Sequence, residues 1–299
     1  MKIIEVNNLC KVYPKKVEAL KNVSLEFHEG EIFCLIGLNG AGKSTFVKIL
    51  LELVNPTSGT IHYEKKIFGK NNLRNSVGYL PEIFSAPKHM TAYQLLHYLG
   101  ELSGIKGQML KTRIENALNA VEMCANQHRK FSTFSKGMQL RAGIAQAIIK
   151  DVPLYIMDEP TEGLDPLMRI KVREILQSLR SNGATVIINS HMLSEVELMA
   201  DRVAIINKGQ IIKSGNIAEM LKIRTGYEVQ VGFKPAMENL KLIEKDHTWF
   251  CIVDDSKSLQ LLLEELNKQS INVLSIKSNI PTLEEYFITN LGNGYVSDN

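Results

Sequence analysis

The sequence predicts an α/β fold with a mixed β-sheet core, a helical insertion into that core, and a small α+β domain at the C-terminal end. Three observations lead to this prediction. A glycine-rich loop lies between a strand pattern and a helical pattern at residues 32–51, apolar runs at 153–159 and 184–189 suit buried parallel strands, and strand patterns resume beyond about residue 224. The 299 residues suffice for one large domain and a small one.

Composition limits the classes of function. The hydrophobic fraction of 44% and the charged fraction of 22% are ordinary for a soluble globular protein. The net charge is only +3 and the basic residues are dispersed, which argues against a nucleic-acid partner. Cys10, Cys34, Cys124 and Cys251 are far apart without C-x-x-C spacing, so we expect reduced thiols in a cytosolic chain rather than zinc ligands or disulfides.

The chain contains no signal-peptide pattern at its start and no run of about 18 apolar residues. We therefore expect that, if the protein works at a membrane, another chain provides the span.

The segment at residues 37–45 matches the phosphate-binding pattern G-x-x-x-x-G-K-[ST] between a strand and a helix. Its glycines allow several N–H groups to point at one anion, and the helix N-terminus adds partial positive charge. Lys43 can neutralise the β- and γ-phosphates, and the Ser44 hydroxyl can bind Mg²⁺. The alternative is a glycine-rich turn without a ligand. The predicted nucleotide-binding residues of the loop are Gly37, Asn39, Gly40, Ala41, Gly42, Lys43, Ser44 and Thr45.

The segments around this loop read as strands and turns. Residues 3–6 and 23–27 are strand-like, with a turn-prone stretch at 13–16 between them. Residues 60–63 and 77–80 are two further short strand patterns.

Residues 83–150 change to a helical pattern. Thr91 and Gln94 resemble a capping box ahead of apolar residues at helical spacing, and residues 111–124 carry a second such face. We expect a helical insertion between two parts of the sheet.

The sheet pattern returns at residues 153–159 and 184–189, whose continuous apolar character is typical of parallel strands buried on both faces. Residues 167–180 read as the crossover helix of a right-handed βαβ unit. Residues 202–212 read as a hairpin that turns at 207–209.

Beyond residue 224 the pattern changes to short strands and helices. We predict one domain at 1–223, with its helical subdomain at about 83–150, and a separate small α+β domain at 224–299. The alternative is that these last elements extend the main sheet. The predicted strands are 227–233, 249–253 and 271–276, and the predicted helices are 258–268 and 282–290.

Asp158 and Glu159 end a buried strand pattern, and successive strand side chains point to opposite sides. Two adjacent carboxylates can then serve different purposes. We expect Asp158 to hold Mg²⁺ and Glu159 to face a water placed to attack the γ-phosphorus. An apolar strand ending in Asp-Glu is weak evidence for a catalytic site on its own, and the phosphate loop upstream strengthens that evidence.

Five motifs in order resemble the ATP-binding cassette (ABC) ATPases, a family of P-loop NTPases. The resemblance covers roughly residues 1–223. Within the family it is nearest to ATPase subunits of bacterial exporters that pair with a separate membrane protein, because Glu82 replaces the usual glutamine and 281–287 resembles the end of their small C-terminal domain. The motifs are the phosphate loop, Phe-Ser-Lys-Gly-Met-Gln at 134–139, Asp-Glu-Pro-Thr at 158–161, Gly-Leu-Asp-Pro at 163–166, and Ser190-His191.

The resemblance implies roles for further residues. It implies that Tyr13 stacks on adenine, and that Ser135 and Gly137 close over the γ-phosphate of ATP on the opposite subunit. It places Asp165 across the dimer interface. It also implies that His191 contacts the γ-phosphate and orients the attacking water, and that Glu82 contacts Mg²⁺ and that water.

Each role has a plainer alternative. Tyr13 also suits an ordinary strand turn, Ser135 a simple helix cap, and His191 a structural position at a strand end. Lys136 and Met138 depart from the common L-S-G-G-Q, so contact there is either looser or gains a charge.

The resemblance therefore implies an ATP-binding and ATP-hydrolysing subunit that uses ATP and Mg²⁺. It implies a head-to-tail homodimer or heterodimer of ATPase subunits coupled to a multi-span membrane permease, with this chain cytoplasmic and peripheral on the inner face of the cell membrane. The alternative is a soluble ABC ATPase acting on ribosomes or DNA, which the single cassette and the lack of a heptad run or basic patch disfavour. A P-loop kinase leaves residues 134–138 and His191 unexplained.

Overall fold

The computed structural model describes residues 1–69, 73–222, 226–236, 241–245, 248–279 and 282–291. The chain divides into two compact units, Met1–Gly215 and Asn216–Asn299. The predicted division at 223/224 and Pro281 of the predicted terminal motif lie outside the described residues, so both stay predictions.

The first unit contains both strands and helices, and its last strand ends one residue beyond the unit boundary. Its strands are β1 (Lys2–Tyr13), β2 (Val17–His28), β3 (Ile32–Ile36), β4 (Ser58–Tyr63), β5 (Val77–Leu80), β6 (Leu154–Asp158), β7 (Thr185–Ser190), β8 (Arg202–Asn207) and β9 (Gln210–Asn216). Its helices are α1 (Lys43–Leu50), α2 (Lys65–Phe68), α3 (Ala92–Leu102), α4 (Gly107–Ala120), α5 (Lys136–Ile148), α6 (Pro166–Ser181) and α7 (Leu193–Met199).

The main sheet has the strand order β5-β6-β7-β3-β8-β9, and the pairs from β5 to β8 are parallel. Every residue of β3, β6 and β7 is buried, which confirms the prediction of strands covered on both faces. Helix α6 connects β6 to β7, as expected for a crossover connection. The short connection at 208–209 makes β8 and β9 the predicted hairpin.

A second, antiparallel sheet has the order β2-β1-β4. Its first two strands extend well beyond the predicted 3–6 and 23–27, because four register shifts let the pairing continue past polar positions such as Asn8. Phe27 of this sheet packs edge-on against Phe33 of β3 at 4.7 Å between ring centroids, and lies 6.2 Å from Phe46 of α1. This core fixes the strand and the helix on either side of the glycine-rich loop.

Helices α3, α4 and α5 lie between β5 and β6 in sequence and pack on one another, so the predicted helical insertion is confirmed. The capping box is present. The Thr91 N–H donates to Gln94 Oε1 at 2.9 Å, and the Gln94 N–H donates to Thr91 Oγ1 at 3.2 Å. In the described residues, no helix combines the length and apolar character that a membrane crossing requires.

The elements of the second unit are α8 (Ile217–Lys222), β10 (Gly226–Val231), β11 (Lys241–Lys245), β12 (Thr248–Val253), α9 (Ser256–Lys268), β13 (Val273–Asn279) and α10 (Leu283–Leu291). In the described residues its strands form a separate antiparallel sheet with the order β11-β12-β10-β13. Leu262 and Leu266 of α9 belong to the same buried cluster as Val229 and Cys251 of the sheet. Strand β11 is absent from the predicted elements.

Candidate functional site

The glycine-rich loop connects the end of β3 to the first residue of α1 and requires glycine for steric reasons. A Cβ added at Gly37 would lie 2.4 Å from the carbonyl oxygen of Ile206 in β8. A Cβ added at Gly42, whose φ is +114°, would lie 2.6 Å from the carbonyl oxygen of Ala19 in β2. The strands next to the loop thus compress its backbone into a tight turn that only glycine permits.

Lys43 begins α1 and turns back over this loop. Its ammonium group donates to the carbonyl oxygens of Gly37 at 2.6 Å and Leu38 at 3.2 Å, and the residue is only 8% exposed. Burial lowers the pKa of Lys43, while the carboxylates of Glu159, Glu82 and Asp158 oppose that shift. A buried cation facing acidic groups is a ready partner for polyanionic phosphate.

A cavity of about 290 Å³ opens beside the loop and unites most of the predicted site. Of the predicted loop residues, Gly37 contributes its carbonyl to Lys43 and Ala41 is buried, and neither lines the cavity. The cavity is lined by Val17, Glu18, Ala19, Leu38, Asn39, Gly40, Gly42, Lys43, Ser44, Thr45, Glu82, Asp158, Glu159 and Asn189.

Tyr13 does not line this cavity. It ends β1, and the Lys11 ammonium lies 5.1 Å from the centre of its ring. The first residues of β2, Val17, Glu18 and Ala19, line it instead. Adenine stacking by Tyr13 therefore stays a prediction.

Asp158, the last residue of β6, is 4% exposed. The Asn189 amide donates to its Oδ1, and the Tyr79 hydroxyl donates to its Oδ2 at 3.3 Å. Burial raises the pKa of Asp158 to about 6, although these two hydrogen bonds oppose the shift. The neighbouring Glu82 and Glu159 raise it further. A carboxylate kept ionised at such a cost is suited to a cation.

Asn189 is a site residue that the sequence reasoning missed. It lies directly beside Asp158 in the parallel register of β6 and β7 and is 1% exposed. Its Oδ1 is buried and has no hydrogen-bond partner. The available signal was an asparagine within the apolar run at 184–189, since a buried polar side chain requires a partner.

The oxygen donors around this cavity fit Mg²⁺. The Asp158 and Glu82 carboxylates and the Ser44 hydroxyl are hard oxygen ligands on residues that line one cavity. Asn189, whose buried Oδ1 has no hydrogen-bond partner, lines the same cavity. The unsatisfied oxygen in particular calls for a cation or a water bound to one.

Glu159 turns away from the strand direction. Its φ of +48° is in the left-handed region, and its N–H donates to the Asn189 carbonyl at 2.9 Å. Strand β6 ends at Asp158, so the alternation expected of successive strand side chains does not extend to Glu159, although both residues line the same cavity. The expected difference in their roles stays a prediction. Strained backbone of this kind costs about 1–3 kcal/mol and typically occurs at functional sites.

Three groups hold the Glu159 carboxylate, which is 7% exposed. The Ser190 hydroxyl donates at 3.2 Å and the His191 N–H donates at 3.4 Å, both to Oε2. The His191 Nδ1 lies 2.7 Å from Oε1. His191 thus pairs with the proposed base, and its side chain is 42% exposed. Its contact with a γ-phosphate stays a prediction.

The segment at 135–137 lies outside the phosphate-loop cavity. Ser135 caps α5, and its Oγ accepts from the Met138 N–H at 3.2 Å. The alternative role of Ser135 as a helix cap is therefore present in the structure. A Cβ added at Gly137 would lie 3.6 Å from Leu164, an ordinary contact, so steric pressure within the chain does not demand glycine there. The Lys136 ammonium lies 3.2 Å from Glu162 Oε1, and its charge is thus met within the chain.

Asp165 caps α6, where its Oδ1 accepts from the Met168 N–H at 3.0 Å, and Pro166 follows at the first helical position. The residue is exposed and does not line the phosphate-loop cavity. A role across an interface stays a prediction.

The parallel sheet, the loop and the cavity define a P-loop NTPase of the ABC cassette type. Residues 20–162 match the ABC transporter family model. An uncharacterized ABC transporter ATP-binding protein of Synechocystis sp. is 36% identical, over 97% of this chain and 84% of its own length. Bacitracin transport ATP-binding protein BcrA of Enterococcus faecalis is 32% identical, over 99% of this chain and 98% of its own length.

A solved structure described as the ATP binding subunit of an ABC transporter is 28% identical and superposes with a TM-score of 0.67. The match covers 74% of this chain and 92% of that one. The chain belongs to the ABC transporter ATP-binding proteins and is an ATPase subunit of that family. The resemblance inferred from the five motifs is confirmed, and nothing in these comparisons supports the ribosome or DNA alternative.

Proposed function

We propose that this chain powers an antibiotic exporter by hydrolysing ATP in a site shared between two ATPase subunits. The observation that carries the proposal is the division of the site. Lys43, Ser44, Asp158 and Glu159 meet around one cavity, whereas Ser135 and Gly137 lie outside it.

Nucleotide binding begins with the loop and Lys43. The β- and γ-phosphates accept from the loop N–H groups and draw the Lys43 ammonium away from the carbonyls of Gly37 and Leu38. The ammonium thus exchanges carbonyl oxygens for phosphate oxygens as its hydrogen-bond acceptors, so its binding to phosphate adds little desolvation.

Mg²⁺ would be held by Ser44, Asp158, Glu82 and the free oxygen of Asn189. When bound, the ion neutralises phosphate charge and polarises the bond that breaks. The chain's own contribution is to keep Asp158 ionised through the Asn189 and Tyr79 hydrogen bonds, although burial favours its protonated form.

Hydrolysis would depend on the pair formed by Glu159 and His191. A carboxylate fixed by Ser190 and His191 cannot rotate away from a water at the cavity, so it is preorganised to accept the proton that the water loses. Because the His191 side chain is 42% exposed, it is also open to the γ-phosphate.

A second subunit would complete the site with its own Ser135 and Gly137. The space beside Gly137 and the exposed position of Lys136 leave this helix N-terminus open to an approaching phosphate. Two-fold pairing of identical or related subunits would place both composite sites at one interface.

A membrane permease is the proposed partner at the cytoplasmic face of the membrane. Ile83, directly after Glu82, is 82% exposed, which suits a hydrophobic contact beside a residue that lines the cavity. The full-length similarity to BcrA, a bacitracin transport protein, supports antibiotic export as the process.

Purification of the tagged chain from detergent-solubilised membranes tests this proposal. We expect a stoichiometric multi-span protein to copurify, and we expect Ile83→Asp to weaken that association without loss of ATP binding. Leu53→Asp is the matched control, since Leu53 is also exposed, at 56%, but lies far from Glu82 in sequence. Copurification of ribosomal RNA or DNA without a membrane protein would contradict the proposal.

A further inference from the structure

Glu159, Glu162 and His191 form a cluster that the proposed reaction does not fully use. One ligand atom from each of the three side chains lies within 4.8 Å of the other two. The Glu162 N–H donates to the Glu159 carbonyl at 3.2 Å, and this tight turn brings the second carboxylate towards the first. Glu159, whose φ is in the left-handed region, begins this turn.

The donor set differs from that of the proposed Mg²⁺ site. Mg²⁺ prefers oxygen ligands in octahedral geometry, whereas two carboxylates and one imidazole suit Zn²⁺ and similar transition ions. The Glu159 Oε1 and His191 Nδ1 are already 2.7 Å apart, so two of the ligands need only small shifts to share one ion.

The cluster is accessible from solvent. The His191 side chain is 42% exposed and that of Glu162 is 40% exposed. A second cavity of about 300 Å³ is lined by Lys136, Glu159 and Glu162 among others, and gives an ion room to approach.

Lys136 competes with an ion for this cluster. Its ammonium lies 3.2 Å from Glu162 Oε1, and its side chain is 77% exposed. Because exposed ion pairs of this kind are weak, a divalent ion can displace the lysine from Glu162. The competition lowers the apparent affinity of the cluster for the ion. The lysine at the position where the family commonly has glycine thus reduces affinity for metal.

We propose that Glu159, Glu162 and His191 bind Zn²⁺ or a similar transition ion, and that this binding stops ATP hydrolysis. The ion would occupy both the base and the histidine beside it. Only the inhibition rests on the proposed function, since the ion binds whether or not Glu159 is the base.

Zn²⁺ titration of the nucleotide-free protein by calorimetry tests the site itself. All variants carry Cys124→Ser, because the exposed Cys124 thiol could bind Zn²⁺ independently. Glu162→Gln should weaken Zn²⁺ binding about tenfold or more, the loss seen even for outer partners of metal ligands. Lys136→Met should strengthen it a few-fold.

Glu174→Gln is the matched control, since Glu174 also forms an exposed pair, with Lys171 at 3.0 Å, outside the cluster. Its Zn²⁺ affinity should equal that of the parent. Equal affinities of the parent and Glu162→Gln would overturn the site, even if Zn²⁺ binds elsewhere.

ATP hydrolysis at saturating Mg²⁺ then tests the inhibition. The half-inhibitory Zn²⁺ concentration should rise in Glu162→Gln by the same factor as the dissociation constant, and a chelator should restore activity. If the Zn²⁺ dissociation constant changes in Glu162→Gln but Zn²⁺ does not inhibit hydrolysis by the parent, the inhibitory role is wrong. A parent protein that does not hydrolyse ATP without Zn²⁺ would instead contradict the proposed function, and the calorimetric comparison would still decide the site.

Discussion

Asp158→Asn should stabilise the nucleotide-free protein while abolishing its activity. Asp158 is 4% exposed, and burial raises its pKa from 3.8 to about 6. That shift corresponds to roughly 3 kcal/mol of unfavourable free energy for the ionised carboxylate in the folded state. Asparagine keeps a carbonyl oxygen for the Asn189 amide and carries no charge, so it avoids most of this cost.

The stability difference between Asp158→Asn and the wild type should depend on pH. Because the folded-state pKa of Asp158 is raised, the free-energy cost of its ionised form is at its maximum above about pH 6. This cost falls as the pH decreases towards 3.8, and it vanishes below that value. The stability advantage of Asp158→Asn should therefore be largest at pH 7.5, about half as large at pH 5, and absent near pH 3.5. A loss of packing would not follow this profile.

Thermal melting without nucleotide is the assay. At roughly 2–4 °C per kcal/mol for a unit of this size, we expect the melting temperature to rise by about 5–10 °C at pH 7.5. Asp165→Asn is the control, because Asp165 is exposed and asparagine is an equally good helix cap. An Asp158→Asn protein that melts below the wild type by the same amount at pH 5 and pH 7.5 would refute the reasoning.

Four further substitutions test other parts of the site. Gly42→Ala should reduce ATP affinity and stability by about 1–3 kcal/mol, whereas Gly40→Ala, which has no atom within 4 Å of its Cβ, should lose only about 1 kcal/mol; ATP titration and melting separate the two. Asn189→Leu removes a hydrogen bond that lowers the pKa of Asp158, so the acidic limb of the ATPase pH profile should move to higher pH; an unmoved limb would exclude Asp158 as the titrating group. Glu82→Gln should raise the hydrolysis rate by removing a negative charge near the γ-phosphate, and an unchanged steady-state rate would exclude that effect.

The phosphate loop and its sheet could be predicted because their signals are local. The order of strand, glycines and Lys43 lies within 15 residues, and continuous apolar runs identify buried strands. The helical insertion and the crossover helix follow from the same periodicity. Strand β11 was missed because a short run with lysines at both ends carries little alternation.

The details of the site depend on tertiary register and could not be predicted. Asn189 lies beside Asp158 only because β6 and β7 pair in parallel with that alignment. The left-handed conformation of Glu159, directly after the end of β6, cannot be predicted from strand alternation. Lys136 meets Glu162 across 26 residues of sequence, a contact that no local pattern indicates.

The most direct test of the shared site is the oligomeric state of Glu159→Gln with ATP. Without a base, this variant should bind ATP, hydrolyse almost none, and form a stable dimer in size-exclusion chromatography with light scattering. The dimer should be absent with ADP, and it should be absent when the same chain also carries Ser135→Arg. A Glu159→Gln protein that remains monomeric at saturating ATP, or that hydrolyses ATP at the wild-type rate, would contradict the account.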